Sequence, residues 1–362
     1  MLQFIRVNFE SSLEGKHMQK NEKPSVVVVG GGAIGSSVAA WVSPKYDALS
    51  LLARGESAEV IEKQGLSFYL KGGQDKAVLV PIKIIRSLDE CPDPDVVVIT
   101  VKNYDLEATA KMLREQLGSH QPIVVGLQNG VENQQILPRY FSRVVYGVVC
   151  FNAWRDGPGK VGHQKRGFVI LGTPKNDLQP EMQLVAGILR LGLDCSITDR
   201  LEDAVYCKLV INLGNALTSL TGFQEHHMKS FDALTRLTAG LIWEGIRVIQ
   251  ANGFKEHPLG KIPSWSTIRM SATLPRPVTS VFYRFAMREE LGPNSTEQDL
   301  AAGKANTELE SFNGYMLTLA RKVGIPMPIN QAVYEIAKER FGPNFKPMPE
   351  KELVDAIQRK LR

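Results

Sequence analysis

The sequence lacks the features that mark several classes of protein. Its four cysteines are far apart and lack metal-ligand spacing, so we expect reduced thiols and no metal site. No apolar run approaches the roughly 20 residues of a membrane-spanning helix, and the N-terminus has no signal-peptide core. The net charge of +5 is not gathered into a basic block. These absences predict a cytoplasmic protein that binds neither membranes nor nucleic acid.

The chain is long enough for two domains. Its 362 residues exceed one typical domain, and a hydrophobic content of 43% can supply a sizeable core. We interpret residues 1–23 as a flexible N-terminal extension. A nucleotide-binding domain is expected at 24–198 and a helical domain at 199–362. The partner that this composition favours is a small molecule.

Short β-branched runs recur in the first domain and alternate with helical patterns. The run at 26–29 suits a strand buried on both faces of a parallel sheet. The alternation predicts the α/β class, with a doubly wound sheet of the Rossmann type. Further strands are predicted at 48–52, 96–101, 123–127 and 144–149.

The texture changes toward the second domain. Residues 160–171 are predicted to form two short strands that add an antiparallel edge, and 181–190 a last helix. After about residue 199 helical patterns dominate, so the second domain is predicted to be all-helical. The predicted helices cover 202–219, 233–251, 301–323 and 331–340.

A glycine-rich loop follows the first strand. The run Gly30-Gly31-Gly32-Ala33-Ile34-Gly35 fits G-x-G-x-x-G after a strand and at the start of a helix, the context of dinucleotide binding. Gly30 permits the tight turn, Gly32 lets the backbone approach a pyrophosphate, and Gly35 allows close helix packing. Free amides at the helix N-terminus favour phosphate binding. The alternative is a glycine-rich turn without a ligand.

Residues at the strand ends indicate which nucleotide is bound. An acid after the second strand would bind the ribose 2′-hydroxyl of NAD, but Arg54 stands there and can pair with a 2′-phosphate. We therefore predict NADP(H); the alternative is an ordinary exposed arginine. Lys102 and Asn129 follow two further strands, so both are expected to face the cofactor.

A polar stripe crosses an otherwise apolar helix. Its spacing of i, i+4, i+7 and i+11 puts the polar side chains on one face. Buried amides and ammonium groups need partners, so the stripe faces another helix, another domain or a wet cleft with a ligand. Burial can lower the pKa of a lysine, which makes the first member a candidate proton donor. The stripe consists of Lys208, Asn212, Asn215 and Ser219.

Together these motifs resemble the ketopantoate reductase family, the 2-dehydropantoate 2-reductases, over roughly residues 24–340. The resemblance implies a Rossmann domain, a helical domain similar to the C-terminal domain of 6-phosphogluconate dehydrogenase, and NADPH-dependent ketopantoate reduction in pantothenate biosynthesis. It rests on the glycine loop, Thr100-Val101-Lys102, Asn129-Gly130, the Lys208 helix, the segment 306–314 and Gly324-Ile325-Pro326-Met327-Pro328.

The resemblance also implies roles for single residues. The family's catalytic lysine corresponds to Lys208, and the asparagine one turn later to Asn212. Its substrate-binding carboxylate corresponds to Glu308, which we also expect to serve catalysis. Its cofactor-side lysine and asparagine correspond to Lys102 and Asn129.

Two features depart from the family's pattern. The second helix asparagine commonly follows the lysine by about eight residues and precedes Pro-Leu-Thr, whereas Asn215 follows by seven and precedes Ala-Leu-Thr. The Ser-Ser-Met segment, with a substrate-binding serine about twelve residues before the glutamate, is not recognisable. Ser280, some 28 residues before Glu308, is the nearest candidate. We expect Asn212, Asn215, Ser280 and Glu308 to bind the substrate.

Two other functions stay open. One is NADPH-dependent reduction of another small 2-oxo acid on the same fold, which the altered spacing favours. The other is an NADP(H)-binding sensor without turnover, against which the intact Lys208 and Glu308 argue. A homodimer and the purpose of residues 281–305 are likewise left open.

Overall fold

A computed structural model describes residues 23–222, 231–260, 262–274 and 293–362. The strands are β1 (Val26–Val29), β2 (Leu49–Leu52), β3 (Leu66–Leu70), β4 (Val78–Val80), β5 (Lys83–Ile85), β6 (Val96–Ile99), β7 (Ile123–Gly126), β8 (Val144–Val149), β9 (Ala153–Gly157), β10 (Lys160–His163), β11 (Phe168–Gly172) and β12 (Asp194–Ile197). The helices are α1 (Ala33–Val42), α2 (Gly55–Gln64), α3 (Asn103–Leu117), α4 (Asn133–Ile136), α5 (Gln179–Leu189), α6 (Leu201–Asn212), α7 (Gly214–Thr221), α8 (Phe231–Ala251), α9 (Trp265–Thr273), α10 (Ser295–Ala301), α11 (Tyr315–Val323), α12 (Pro328–Arg340) and α13 (Glu350–Leu361). A π-helical turn (Glu310–Gly314) leads into α11.

An eight-stranded sheet forms the first domain, in the order β12-β11-β8-β7-β6-β1-β2-β5. β1 lies between β2 and β6 and is parallel to both, with Val26 opposite Leu49 and Val96. Every residue of β1, β2, β6 and β7 is buried, because helices cover both faces of the sheet. The predicted α/β sheet of the Rossmann type is confirmed.

The prediction for residues 160–171 was only partly right. β11 pairs antiparallel with β8 as expected, but β12 pairs parallel with its other side, so β11 is not the edge. β10 belongs to a second sheet, in the order β4-β3-β10-β9. This second sheet was not predicted; it lies against α1, where Trp41 contacts Phe68 and Phe151 edge-on.

Every regular element among the described residues after 199 is a helix, as predicted. The predicted helix 202–219 is interrupted, however, because the Leu213 amide bonds to the Val210 carbonyl and tightens the chain between α6 and α7. The predicted helix 301–323 was also wrong at its start: residues 302–308 are turns and irregular chain, and the helix resumes only after them. The C-terminal helix α13 was not predicted.

Two apolar cores lie on opposite faces of the large sheet. One joins the sheet to α1, α2 and α5. The other runs from the sheet and α3 without a break into the helical domain, where Leu209 and Phe312 are buried. The two domains therefore share one apolar core. Within the described ranges, no helix is long and apolar enough to cross a membrane.

Candidate active site

The glycine loop joins β1 to α1 in the geometry of a phosphate cradle. Gly30 has a positive φ of 111°, and a Cβ there would lie 3.0 Å from Thr100 Oγ1. A Cβ at Gly35 would overlap the Gly30 carbonyl oxygen, whereas a Cβ at Gly32 would meet nothing within 4 Å. Gly32 is also the N-cap of α1, and the first turn carries no acid. The open side of the loop thus presents helix amides to an anion.

Arg54 lies where the sequence places it, directly after β2 and at the N-cap of α2. Its side chain is exposed, and Nη2 lies 3.4 Å from Met112 Sδ. The contact places the guanidinium beside α3, on a side chain that is exposed to solvent. This position is compatible with a ribose 2′-phosphate. A guanidinium binds a phosphate more strongly than it binds a hydroxyl.

Asn129 follows β7 in a segment held by neighbouring amides. The Asn103 side chain donates to the Asn129 carbonyl at 2.6 Å, and Gln128 Nε2 donates to the Ile99 carbonyl at 2.8 Å. These bonds join the chain after β6 to the chain after β7. The next residue, Gly130, has a positive φ of 92°. The half-buried Asn129 side chain is not used in them. It stands at the carboxyl edge of the sheet, as predicted.

Lys102 reaches across the domain boundary, which the sequence did not predict. Its Nζ lies 3.1 Å from Glu308 Oε2 and 3.1 Å from Asp299 Oδ2. Both carboxylate side chains are almost fully buried, with 3% and 4% exposed, respectively. Although desolvation opposes the charge, the two carboxylates raise the pKa of Lys102. The predicted cofactor-side lysine and the predicted substrate carboxylate are therefore direct neighbours.

Lys208 is a lysine without a counter-ion within the described ranges. It lies on α6, which packs against β8 and β11, and part of its side chain is accessible. Burial lowers the pKa of Lys208; the nearby Cys150, at the end of β8, opposes this shift, and Lys165 adds to it. An ammonium of this kind loses a proton more readily than an exposed one. It is suited to hydrogen-bond and protonate an oxygen that gains charge.

The rest of the polar stripe divides into two parts. Asn212 is 5% exposed, and its Nδ2 is buried without a hydrogen-bond partner. Ser219, by contrast, donates to Asn294 Oδ1 at 3.3 Å, so it joins helices. The side chain of Asn215 is half-buried, while its carbonyl accepts from Thr218 at 3.2 Å. Asn212 therefore has an unused, enclosed donor one helical turn from Lys208.

The π-helical turn contacts the chain at the break after Asn212. Asn313, 1% exposed, donates from Nδ2 to the Leu213 carbonyl at 3.3 Å. The bond satisfies a carbonyl beside the interruption between α6 and α7. π-helical turns often occur at functional sites, and this one begins two residues after Glu308. The segment 306–314 thus fixes both the carboxylate and the helix that carries Lys208.

Sequence reasoning missed α10. Asn294 caps this helix in a capping box with Glu297, and Nδ2 of the same asparagine donates to Thr218 Oγ1 at 2.9 Å. Ser280 lies outside the described residues. At the family's spacing of about twelve residues before Glu308 the chain instead has Thr296, preceded by Ser295, at the start of α10. The signal that could have indicated this helix was its capping box.

Burial raises the pKa of Glu297 to about 7. Its Oε2 accepts from the Asn294 amide at 3.0 Å, while Oε1 is buried without a partner among the described residues. The hydrogen bond opposes the shift, but desolvation outweighs it. A carboxyl that titrates near neutrality thus lies two residues from Asp299.

Comparisons with known proteins agree with this geometry. The family profile "Ketopantoate reductase PanE/ApbA" matches residues 26–176, and "Ketopantoate reductase PanE/ApbA C terminal" matches residues 200–341. The 2-dehydropantoate 2-reductase of Archaeoglobus fulgidus is 26% identical over 316 residues, which cover 86% of this chain and 96% of the relative. The two profiles together span most of the chain.

Three solved structures share the fold. A PanE/ApbA family ketopantoate reductase from Ralstonia eutropha JMP134 has a TM-score of 0.66 at 23% identity and covers 92% of this chain and 99% of its own. A ternary structure of D-mandelate dehydrogenase with NADH and anilino(oxo)acetate has a TM-score of 0.69 at 19% identity, with coverage of 92% and 99%. A dimeric ketopantoate reductase from Staphylococcus aureus has a TM-score of 0.62 at 20% identity, with coverage of 87% and 98%.

Proposed function

The chain belongs to the ketopantoate reductase family, and on that premise we propose that it reduces 2-dehydropantoate to pantoate with NADPH. It is an oxidoreductase that acts on a CH–OH group, and its relatives bear the name 2-dehydropantoate 2-reductase. The observation that carries the proposal is Lys208, a lysine with a lowered pKa and no counter-ion in the described ranges, beside the unused donor of Asn212. A binding protein without turnover needs neither feature.

The residues on the Rossmann side fit NADP(H). The loop from Gly30 to Gly35 would hold the pyrophosphate. A Cβ at Gly30 or Gly35 would press against neighbouring protein atoms, whereas Gly32 faces open space in which a phosphate can approach the backbone. Arg54 would hold the 2′-phosphate, and Asn129 would contact the nicotinamide end. When bound, NADPH supplies the hydride for the reduction.

Lys208 would act on the carbonyl oxygen of the substrate. As this oxygen gains negative charge, the ammonium donates a hydrogen bond to it and then transfers a proton, which leaves a neutral amine. The low pKa caused by burial makes that transfer easier. The amine recovers a proton before the next turnover.

Asn212 and Glu308 would orient the substrate. Asn212 has its Nδ2 free for an oxygen of the 2-oxo acid. Glu308 engages Lys102 through Oε2, and we assign its other oxygen to a hydrogen bond from the substrate's distal hydroxyl. Asn215 is a further substrate contact, and a hydroxyl contact comes from Ser280 or, at the family's spacing, from Ser295 or Thr296.

A second candidate reaction is the reduction of another small 2-oxo acid. It is favoured by Asn215, which follows Lys208 by seven residues, where the family commonly has eight, and lies beyond the break at Leu213. Its side chain would therefore be displaced along the stripe from the position of the family's asparagine. That displacement would alter the pocket around the substrate tail. It would leave Lys208 and the reacting carbonyl unchanged.

The test is NADPH oxidation at about 340 nm with ketopantoate and with a series of other 2-oxo acids. We expect the highest kcat/KM with ketopantoate and a preference for NADPH over NADH that Arg54→Ala removes. Turnover with another 2-oxo acid alone would support the second candidate. NADPH binding with no turnover on any of them would contradict both.

We also propose a domain boundary near residue 199 and a homodimeric assembly. The boundary is supported by the separate matches to 26–176 and 200–341. The assembly is supported by the dimeric relative from Staphylococcus aureus. Light scattering on the purified protein tests it, since a monomer would have a mass near 40.1 kDa.

A further inference from the structure

Asp299 is a buried carboxylate that receives two ammonium groups, one on each oxygen. Lys102 Nζ lies 3.1 Å from Oδ2, and Lys304 Nζ lies 3.1 Å from Oδ1. Lys304 also donates to the hydroxyl of Tyr104 at 2.8 Å. With Glu308, the cluster contains two positive and two negative charges, so it is balanced. We call Lys102, Tyr104, Asp299, Lys304 and Glu308 the clasp.

The clasp joins the two domains. Lys102 and Tyr104 stand at the start of α3 on the Rossmann side, whereas Asp299, Lys304 and Glu308 come from the helical domain. Every one of its cross-domain contacts falls between α3 and residues 299–308.

A separate contact fastens the same region at another point. Gln298 Nε2 donates to the Ala153 carbonyl at the start of β9, at 3.0 Å. Since Gln298 and Asp299 are adjacent, α10 is held against the Rossmann domain at both β9 and α3. Movement of α10 away from that domain would have to break both contacts.

Because Asp299 is buried, it depends on its ion pairs with Lys102 and Lys304. Asp299 is 3% exposed, so its charge needs compensation from within the protein. If its charge were removed, Lys102 would keep Glu308 alone, and Lys304 would lose its buried partner. The Lys102 ammonium would then move toward Glu308 and compete with any other hydrogen-bond donor there.

From this geometry we propose that Asp299 is a positioning residue for the reduction. It holds Lys102 between two carboxylates, so that Glu308 stays available to the substrate, and it keeps α10 closed against the Rossmann domain. The inference rests on the proposed function, because it assigns Glu308 to the substrate. Asp299 itself touches neither substrate nor cofactor in this account.

The test is Asp299→Asn in the full-length protein. We expect KM for ketopantoate to rise about 10- to 100-fold, the range for loss of a charge-assisted hydrogen bond. We expect kcat to fall by less than about threefold, because Lys208 lies outside the clasp. The dissociation constant of NADPH, measured by fluorescence, should rise less than KM, because Arg54 and the glycine loop lie outside the clasp. Equal losses in kcat and kcat/KM would overturn the proposal, as would an unchanged KM.

Two further variants keep the test sharp. Lys304→Met removes only the more exposed ammonium and is safer for folding; we expect a smaller rise in KM, about three- to tenfold. Glu335→Gln is the matched control, since it breaks the exposed Lys360–Glu335 pair away from the clasp and should leave KM unchanged. A Lys304→Met protein with wild-type KM would count against the clasp even if Asp299→Asn failed to fold.

Hydrogen exchange supplies a readout other than activity. Amides of residues 295–308 should exchange faster in Asp299→Asn than in the wild type, while those of β1 and β6 should not change. Unchanged exchange at 295–308 would overturn the closing role of Asp299. If the wild-type protein failed to reduce ketopantoate, the proposed function would be refuted. The hydrogen-exchange result would still test the closing role of Asp299, because it does not depend on activity.

Discussion

The Rossmann and helical domains build their halves of the site by different means. On the Rossmann side, the contacts expected for the cofactor come mainly from backbone: a glycine turn, helix amides and strand ends. On the helical side they come from side chains that are buried or half-buried, above all Lys208, Asn212 and Glu308. A backbone site is damaged by adding atoms, whereas a side-chain site is damaged by removing them. The two halves should therefore respond to different substitutions.

The largest expected effect is that of Lys208→Ala. Loss of the proton donor should lower kcat by about 10²- to 10⁴-fold, the usual contribution of general acid catalysis. The folded protein should still bind NADPH. The measurement is steady-state turnover with ketopantoate, and a kcat within tenfold of the wild type would remove Lys208 from the chemistry.

Next in size is Gly32→Ala, which adds one methyl group to the backbone-built half. The protein itself has room for it, because no atom lies within 4 Å of the added Cβ and φ is −77°. NADPH affinity should nevertheless fall about 10-fold or more, since the methyl group would occupy space needed by the pyrophosphate.

A thermal unfolding scan supplies the control for Gly32→Ala. The melting temperature without cofactor should match the wild type. If affinity for NADPH were retained, the cofactor would not approach the loop as the account requires.

The smallest expected effect concerns Glu297, whose burial raises the pKa from 4.5 to about 7. A pKa raised on folding gives stability that is present below pH 4.5 and lost as the pH rises through 7. Glu297→Gln does not titrate, so its free energy of unfolding relative to the wild type should increase by about 1–3 kcal/mol between pH 5 and pH 8.

Denaturant unfolding at the two pH values measures this difference. Glu339→Gln, on an exposed part of α12, serves as the control and should show the same offset at both. An equal offset for Glu297→Gln would show that its carboxyl does not lose a proton in this range.

The comparison also shows which features the sequence could predict. β1 and the turn that follows it are local: a β-branched run followed by glycines leaves few conformations, and the predicted strand and turn are present. β12 is Asp194-Cys195-Ser196-Ile197, which is too polar to indicate a strand, and only its pairing with β11 makes it one. The carbonyl of Leu213, at the break between α6 and α7, accepts a hydrogen bond from Asn313, 100 residues away.

The site residues also divide into those that local sequence indicates and those that depend on distant contacts. The positions of Arg54 and Asn129 followed from strand ends, because parallel strands end at one edge of the sheet. The pairing of Lys102 with Glu308 joins positions 206 residues apart, and no local pattern indicates it. Asp299 was missed for the same reason: its contact with Lys102 joins positions 197 residues apart.

The most direct test of the divided site is the double variant Gly32→Ala/Lys208→Ala, with NADPH affinity measured in a cycle with both single variants. The expected result is additivity: Lys208→Ala should leave the dissociation constant within about twofold in either background, as independent sites do. A coupling of tenfold or more would contradict it, because it would mean that the lysine belongs to the cofactor site and that the two domains do not divide the work.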